Sequence, residues 1–448
     1  MIHFQRIAAT AATACATVLF CAQSAWAAIP IQQWTQASGA RVFLVESPAI
    51  PMLDVQIDFD AGGRRDPAAQ AGLASLTAAM SNKGVLARGS DPALDQNAWS
   101  EAWVDLGASF GAGAGDDRMS FSLRTLTYPD LMDKAVRLAA RQLGEPAFAA
   151  DLWQRERQRI SASLKEADTK PATHAGRAFQ SAVYGSHPYG YELTQATLDR
   201  IQTEDMRSDF SRMVLPCRAT VSLVGAVNKA QADALVQTLL SRIPAGQACA
   251  PLPAVGEIAP LAAARDIRIP FASAQAHVFI GQPGYKRDDP DFFALTVGNY
   301  VLGGGGFVSR LTAEVREKRG LSYSVYSYFA PGLHAGAFTI GLQTRPDQAV
   351  EAVKVSRDVL AKFVADGPTE AELQAAKDNL IGGFALRIDS NRKLLDNVAN
   401  IAWNHLPLDY LDTWTQRVDK ITTADVKAAF ARKLQPEKMV TVVVGGAQ

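Results

Sequence analysis

One stretch of this sequence occurs twice at a fixed distance. A helix-like segment, a turn proline and an apolar run ending in glycine recur in the same order, 220 positions apart, as residue 421 is from residue 201. The matched segments are 201–210 with 421–430, Pro216 with Pro436, and Val224-Gly225 with Val444-Gly445. A looser match places Pro129 and Pro346 at the first turns of long helices that follow alternating strands. The chain is therefore expected to consist of two homologous halves.

Local patterns predict similar elements in both halves. Thr203 and Thr423 are the expected N-caps of the repeated amphipathic helix, which is followed by a proline turn and a buried strand. Strand groups mixed with helix groups predict an α+β fold, in which each half is an α/β sandwich with helices on one face of a mainly antiparallel sheet. Alternating apolar and polar residues predict further strands over 42–45, 54–61, 109–113 and 119–125, and over 265–270, 277–282, 322–329 and 336–343.

The first 27 residues have the pattern of a secretory signal peptide. His3 and Arg6 form a weak positive region, residues 7–22 are apolar or small, and Ala25-Trp26-Ala27 is a cleavage signature. The alternative, an uncleaved membrane anchor, is disfavoured because the apolar run is short for a bilayer. We expect a periplasmic protein with a mature start at Ala28 and no membrane span after cleavage. The expected domains are a first half over 28–243, a proline- and alanine-rich linker over 244–264, and a second half over 265–448.

Charge and cysteine content narrow the range of partners. The 45 Lys and Arg residues balance the 45 Asp and Glu residues, which argues against nucleic acid or an anionic membrane as a partner. Cys15 and Cys21 belong to the signal peptide. Cys217 and Cys249 remain, and the sequence fits either one disulfide or two separate buried thiols.

The residue types that usually carry catalysis do not form a site by spacing. No two of the six histidines lie four residues apart, and His187 and His334, each in a turn, are expected to be solvated. No Gly-x-Ser-x-Gly or comparable nucleophile motif occurs. The run Gly303 to Gly306 lacks the Gly-Lys-Ser/Thr ending of a phosphate-binding loop.

Residues 62–84 contain a Gly-Gly turn, Asp-Pro, a Gly-Leu-Ala helix start and a Lys-Gly stop. This frame resembles the metal-binding helix of the insulinase/pitrilysin zinc peptidases, which carry His-x-x-Glu-His there. Ser75, Ala78 and Ala79 occupy the three motif positions, so the resemblance implies no zinc in this chain. A later Glu completes the zinc site in that family. Glu156 falls near its place, and we interpret it as an ordinary helix-surface charge.

Residues 303–328 carry the stronger resemblance. A glycine run, an amphipathic helix over 309–319 and a strand match the second half of insulinase-type peptidases, in which an Arg and a Tyr seven residues apart hydrogen-bond the substrate at the zinc site of the opposite half. Here those residues are Arg316 and Tyr323. Gly303, Gly304, Gly305 and Gly306 can expose backbone groups to a substrate.

A structural role for this pair is the alternative: Arg316 as a solvated or locally paired helix charge, and Tyr323 as a filler of a cavity floor. The α-helical neighbours of Arg316 are Thr312, Ala313, Arg319 and Gly320, none of them acidic. Glu314 and Glu317 are expected to point elsewhere.

Small bacterial members of this family occur as pairs of similar subunits, one with the zinc helix and one with the Arg/Tyr pair. The resemblance implies that this chain is the non-zinc subunit of a heterodimeric peptidase. Its partner would hold the zinc, and a peptide would be the substrate. No cleavage is expected from this chain alone. The alternative is an inert peptide-binding or scaffold protein of the same fold.

Overall fold

A computed structural model of the chain describes residues 29–244 and 249–446. The predicted signal peptide, the expected first mature residue Ala28 and four residues of the predicted linker lie outside the described residues. None of the described helices combines the length and the apolar character that crossing a bilayer requires.

The first half contains a six-stranded sheet and eight helices. Its strands are β1 (Gln32–Thr35), β2 (Arg41–Glu46), β3 (Met52–Phe59), β4 (Ser109–Ala114), β5 (Met119–Leu126) and β6 (Thr220–Gly225). Its helices are α1 (Leu73–Ser81), α2 (Gln96–Asp105), α3 (Pro129–Gly144), α4 (Ala150–Ala167), α5 (Pro171–Tyr184), α6 (Gln195–Leu198), α7 (Thr203–Met213) and α8 (Lys229–Leu240).

The second half contains a five-stranded sheet and six α-helices. Its strands are β7 (Arg265–Ile269), β8 (Ala276–Tyr285), β9 (Val325–Phe329), β10 (Gly336–Thr344) and β11 (Val440–Val444). Its helices are α9 (Phe292–Asn299), α10 (Ala349–Asp366), α11 (Glu370–Gly382), α12 (Asn391–Trp403), α13 (Tyr410–Asp419) and α14 (Thr423–Lys433). Two π-helical turns, Tyr300–Gly304 and Thr312–Glu317, lie between α9 and β9.

The two sheets share one topology. Their strand orders are β1-β2-β6-β3-β5-β4 and β7-β11-β8-β10-β9, so each strand of the second half has an equivalent in the first, and β1 is an addition. The β2–β6 and β7–β11 pairs are parallel, and the other pairs are antiparallel. The predicted α+β fold with two homologous halves and mainly antiparallel sheets is confirmed.

The halves exchange one helix each, which the sequence did not predict. Helix α5 packs on β8 and β11 of the second half, while α12 packs on β6 and β3 of the first. The Phe179 ring of α5 lies 5.6 Å from the Phe279 ring of β8. A side chain at Gly281, also on β8, would collide with the Phe179 ring. Each sheet is therefore covered by its own helices on one face and by a helix of the other half on the opposite face.

The predicted N-caps are wrong by one residue. Helices α7 and α14 begin at Thr203 and Thr423, and their N-caps are Gln202 and Thr422. The reason is the acid at the third helical position, which accepts a hydrogen bond from the N-cap N–H. Asp425 Oδ2, for example, lies 2.9 Å from the Thr422 nitrogen.

The halves also meet at a buried polar cluster between the β4–β5 and β9–β10 turns. His187 and His334 are each 7% exposed, and their ring centroids are 4.9 Å apart. The prediction that both are solvated is therefore wrong, because each turn is covered by the opposite half. The Tyr189 hydroxyl donates to Asp117 Oδ1 (2.6 Å) and accepts from the His334 N–H (3.2 Å).

The described part of the predicted linker, 249–264, contains no helix or strand and is fixed to both halves. Cys249 forms a disulfide with Cys217, their Cα atoms 6.3 Å apart, which decides between the two alternatives left open by the sequence. Glu257 pairs with His334 Nδ1 at 3.2 Å and with Lys286 of the second half.

Candidate functional site

Helix α1 keeps the shape of a metal-binding helix without the ligands. Ser75 and Ala79 lie one turn apart and are both exposed, whereas Ala78 is fully buried. The start of the helix is well defined: Asp66 accepts hydrogen bonds from the Gly72 N–H (2.8 Å) and the Ala74 N–H (3.0 Å). The exposed face of α1 therefore carries only the small side chains of Ser75 and Ala79 at the positions from which two zinc ligands would project.

Glu156, on α4, forms ion pairs with Lys83, which follows α1 in the chain, and with Arg159. Its carboxylate is 3.4 Å from Lys83 Nζ and 2.9 Å from Arg159 Nη2, and its side chain is 17% exposed. Burial opposes its ionisation, but the Arg159 hydrogen bond and the Lys83 charge outweigh this effect and lower its pKa. Glu156 is thus a half-buried charge on α4 that is held in ion pairs with Lys83 and Arg159.

These residues do not fit a zinc ion. Ser and Ala side chains replace the two imidazoles, and the remaining carboxylate is neutralised by Lys83. Across 29–244 and 249–446, no group of three His, Cys, Asp or Glu side chains is placed to hold a metal.

The second candidate site brings together Arg316, Tyr323 and Phe307. The guanidinium carbon of Arg316 lies 4.6 Å from the centroid of the Phe307 ring and 4.7 Å from that of Tyr323. Cation–π contacts of this length are attractive. Tyr323 is 83% exposed and Phe307 71%. The positive charge of Arg316 therefore contacts two aromatic rings that are both exposed to solvent.

Arg316 sits on a π-helical turn rather than on the predicted α-helix. The Lys318 N–H donates to the Ala313 carbonyl at 3.0 Å, a spacing of five residues instead of four. This extra residue per turn changes the direction in which Arg316 points. An amphipathic pattern could not distinguish the two windings, since both leave Leu311 and Val315 buried.

The strand after this turn is shorter than predicted. Strand β9 begins at Val325 rather than at Ser322. The Ser322 hydroxyl oxygen lies 2.7 Å from the Ser324 carbonyl and 2.6 Å from the Gln343 carbonyl, so its single O–H is shared between these backbone acceptors. Tyr323 therefore precedes the strand and is free to stack on Arg316.

The acidic neighbours of Arg316 behave differently from each other. Glu314 pairs with Lys318 and Arg319, both at 2.6 Å. The expectation that Glu317 points elsewhere is wrong, because its carboxylate forms an ion pair with Arg316 Nε at 3.6 Å, although this distance is beyond that of a hydrogen bond. Within the described part of the chain, the terminal nitrogens of Arg316 have no acceptor.

Three residues of the glycine run pack closely against neighbouring elements. Gly303 is buried, and a side chain there would collide with Ser327 of β9. Gly304 and Gly305 pack on Asn299 and Tyr300. Gly306 has a φ of +61° and open space around its Cα, so it turns the chain and directs Phe307 toward Arg316. Gly304 and Gly306 are the exposed members of the run.

The two candidate sites do not interact with each other. In the residues described, no hydrogen bond, ion pair or ring contact joins Ser75, Ala78 or Ala79 to Arg316 or Tyr323. The sequence analysis did not predict the contact of Phe307 with Arg316 or the ion pair of Lys83 with Glu156. The position of Phe307 directly after four glycines could have indicated its role. Nothing in the sequence indicated that Lys83 pairs with Glu156.

Comparison with known proteins agrees with this picture. Residues 41–197 match the model of the insulinase family (peptidase family M16), and residues 200–380 match that of the peptidase M16 inactive domain. The crystal structure of a peptidase M16 inactive domain from Pseudomonas fluorescens is 34% identical, with a TM-score of 0.87, and the match covers 94% of this chain and 99% of that one. The chain belongs to peptidase family M16. The family resemblance inferred from residues 62–84 and 303–328 is thereby confirmed, with the inactive type of domain.

Relatives of this M16 chain are described in different ways. An uncharacterized zinc protease of Mycobacterium leprae is 26% identical over 424 residues, covering 92% of this chain and 91% of the relative. A non-peptidase homolog, YmxG of Helicobacter pylori, is 24% identical over 395 residues, covering 86% and 87% respectively. The family thus includes relatives described as proteases and one described as a non-peptidase.

Proposed function

We propose that this chain is the non-zinc subunit of a heterodimeric, exported M16 peptidase. The observation that carries the proposal is the Arg316 guanidinium, which contacts the Phe307 and Tyr323 rings and whose terminal nitrogens are unpaired within the described residues. A chain whose own zinc positions are Ser75, Ala78 and Ala79 has no use for such a group within itself. The group suits a substrate bound at the metal of a homologous partner with His-x-x-Glu-His.

The chemistry of the pair matches peptide hydrolysis. The carbonyl oxygen of the scissile bond gains negative charge as the tetrahedral intermediate forms. Arg316 supplies a permanent positive charge with several N–H donors, and Tyr323 supplies a neutral O–H donor. Both groups would donate hydrogen bonds to this oxygen or to neighbouring substrate carbonyls. The exposed backbone of Gly304 and Gly306 would add contacts to the extended peptide.

The alternative function is an inert peptide-binding or scaffold protein. The Lys83–Glu156 ion pair and the non-peptidase homolog of H. pylori favour it. Arg316 and the exposed Tyr323 count against it, since a scaffold does not need a guanidinium that contacts two exposed rings and whose terminal nitrogens lack an acceptor within the described residues.

The test is reconstitution with a zinc-bearing homologue of similar length from the same genome. The mature chain alone should cleave no peptide in a mixed library, and activity should appear on mixing. Arg316→Ala or Tyr323→Phe should then lower kcat/KM by about 100- to 1,000-fold, the range for loss of an oxyanion donor, with assembly unchanged by light scattering. Arg319→Ala is the matched control, because Arg319 lies on the same segment but pairs with Glu314. Full activity in both site variants would refute the role.

We also propose a periplasmic location, which rests on the sequence pattern of residues 1–27. N-terminal sequencing of the protein from a periplasmic extract should give a chain that starts at Ala28. Recovery of the uncut chain in the membrane fraction would favour the anchor instead.

A further inference from the structure

We infer that Phe307 is a positioning residue for Arg316, so that the glycine run acts by fixing this ring rather than only by exposing backbone. The inference rests on the proposed function for its role in catalysis, but the contact itself belongs to this chain alone. The guanidinium carbon of Arg316 contacts both aromatic rings, at 4.6 Å from the centroid of Phe307 and 4.7 Å from that of Tyr323.

Phe307 has no packing role that would explain it. Its side chain is 71% exposed, and so is that of Val308 at 73%. A large apolar ring in solvent contributes little to the core, whereas the face of such a ring attracts a cation. Within the described residues, the Arg316 guanidinium is the cation that this ring contacts.

The ring is held in place by a tight turn. Gly306 adopts a φ of +61°, and the Ser309 N–H donates to the Gly306 carbonyl at 3.1 Å. The Ser309 hydroxyl is buried and donates to the same carbonyl at 2.8 Å. Phe307 is therefore presented to Arg316 by a turn that is fixed by two hydrogen bonds to the Gly306 carbonyl.

The contacts of Arg316 leave its terminal nitrogens available. The guanidinium carbon lies 4.6 and 4.7 Å from two ring centroids, and Nε is 3.6 Å from Glu317. Within the described residues, the terminal N–H groups have no acceptor. Holding a flexible side chain in one orientation before substrate arrives reduces the entropy lost on binding. A carbonyl or oxyanion is the ligand that these N–H donors suit.

The first test uses the isolated chain. Arginine side chains are isotope-labelled, and the Arg316 signals are assigned by their loss in Arg316→Lys. Ring currents from two stacked rings should shift these signals upfield, and Phe307→Ala should remove about half of that shift, since one of two rings is lost. Phe307→Trp should retain it, Phe307→Leu should not, and Val308→Ala should leave it unchanged. Identical Arg316 signals in the wild type and Phe307→Ala would overturn the inference.

The second test uses the reconstituted complex. Phe307→Ala should lower kcat more than it changes KM, by about 2- to 5-fold as expected for an exposed cation–π contact. It should cause no further loss in an Arg316→Lys background if Phe307 acts by orienting the guanidinium. Equal losses in both backgrounds would contradict that role. If no partner yields activity, the proposed function fails while the spectroscopic result still decides the contact.

Discussion

Asp117, in the first half, accepts a hydrogen bond from the backbone N–H of Leu333, in the second half, with 3.0 Å between nitrogen and Oδ2. The two residues lie on equivalent turns, between β4 and β5 and between β9 and β10. The other oxygen of Asp117 accepts from the Tyr189 hydroxyl at 2.6 Å and pairs with Arg64 at 3.0 Å. One carboxylate thus joins two turns from different halves.

Removing this carboxylate should weaken the whole fold. Asp117→Ala leaves the Leu333 N–H and the Tyr189 hydroxyl without their acceptor, so we expect a loss of roughly 2–4 kcal/mol in the free energy of unfolding. Chemical denaturation followed by circular dichroism measures it. Asp116→Asn is the neighbouring control, and its effect should be small or stabilising, because burial and the Asp117 charge both raise the pKa of Asp116. Equal stability of Asp117→Ala and the wild type would show that the contact does not join the halves.

The same cluster should make the protein less stable in mild acid. Burial, and then the neighbouring His334, lower the pKa of His187 from its ordinary 6.5, so the unfolded chain binds a proton more readily than the folded one. The contribution of neutral His187 is therefore fully present above pH 6.5 and is lost as the pH falls through that value toward the lowered folded pKa. Protonation would also displace the Tyr189 N–H from His187 Nδ1, now 3.1 Å away.

Thermal unfolding between pH 7.5 and 5 should show this loss as a falling Tm. His187→Asn keeps an acceptor in the turn but does not titrate, so its Tm should change less with pH. His174→Gln, at a half-buried histidine outside this cluster, is the control for a substitution that leaves His187 in place. Asp66 has the opposite effect on how stability depends on pH. Burial raises its pKa to about 7, so this residue favours the folded state more at low pH than at high pH. The difference between variants is therefore the measured quantity, and parallel curves for wild type and His187→Asn would contradict the assignment.

The Cys217–Cys249 disulfide closes a loop with a sequence separation of 32. Breaking it with a Cys217→Ser/Cys249→Ser variant should cost about 2–4 kcal/mol, because the unfolded chain gains freedom. Denaturation in urea with and without reductant checks this value. Quantification of free thiols in the denatured, non-reduced mature protein should give none, and two reactive thiols would exclude the bond.

A metal site should be recoverable on α1. The wild-type chain should carry no stoichiometric zinc. Ser75→His with Ala79→His places two imidazoles on one exposed helix face, and Glu156 can add a carboxylate once Lys83 is removed. Calorimetry with zinc should show tighter binding by the Ser75→His/Ala79→His/Lys83→Ala protein than by the version retaining Lys83, because Glu156 no longer pairs with Lys83. Equal affinities would mean that Lys83 does not compete for Glu156.

The sequence predicted the features that depend on local pattern and repetition. The constant spacing of Pro216 and Pro436 indicated the two halves, and alternation indicated most strands of both sheets. The Arg316–Tyr323 spacing led to residues that the structure brings together. Features that depend on distant parts of the chain were missed. His187 is buried only because the turn of the other half covers it, and π-helical winding leaves the same apolar pattern as an α-helix.

The crossed positions of α5 and α12 bear on how such a chain could arise. A half-length ancestor would have had one sheet face bare, with its own helix projecting away from it. Two copies related by a two-fold axis would have completed each other by trading that helix. Duplication and fusion of the gene would then have joined the two copies in one chain and allowed each copy to diverge. Such a history would account for a metal helix that has lost its ligands in one half while the surrounding fold is kept.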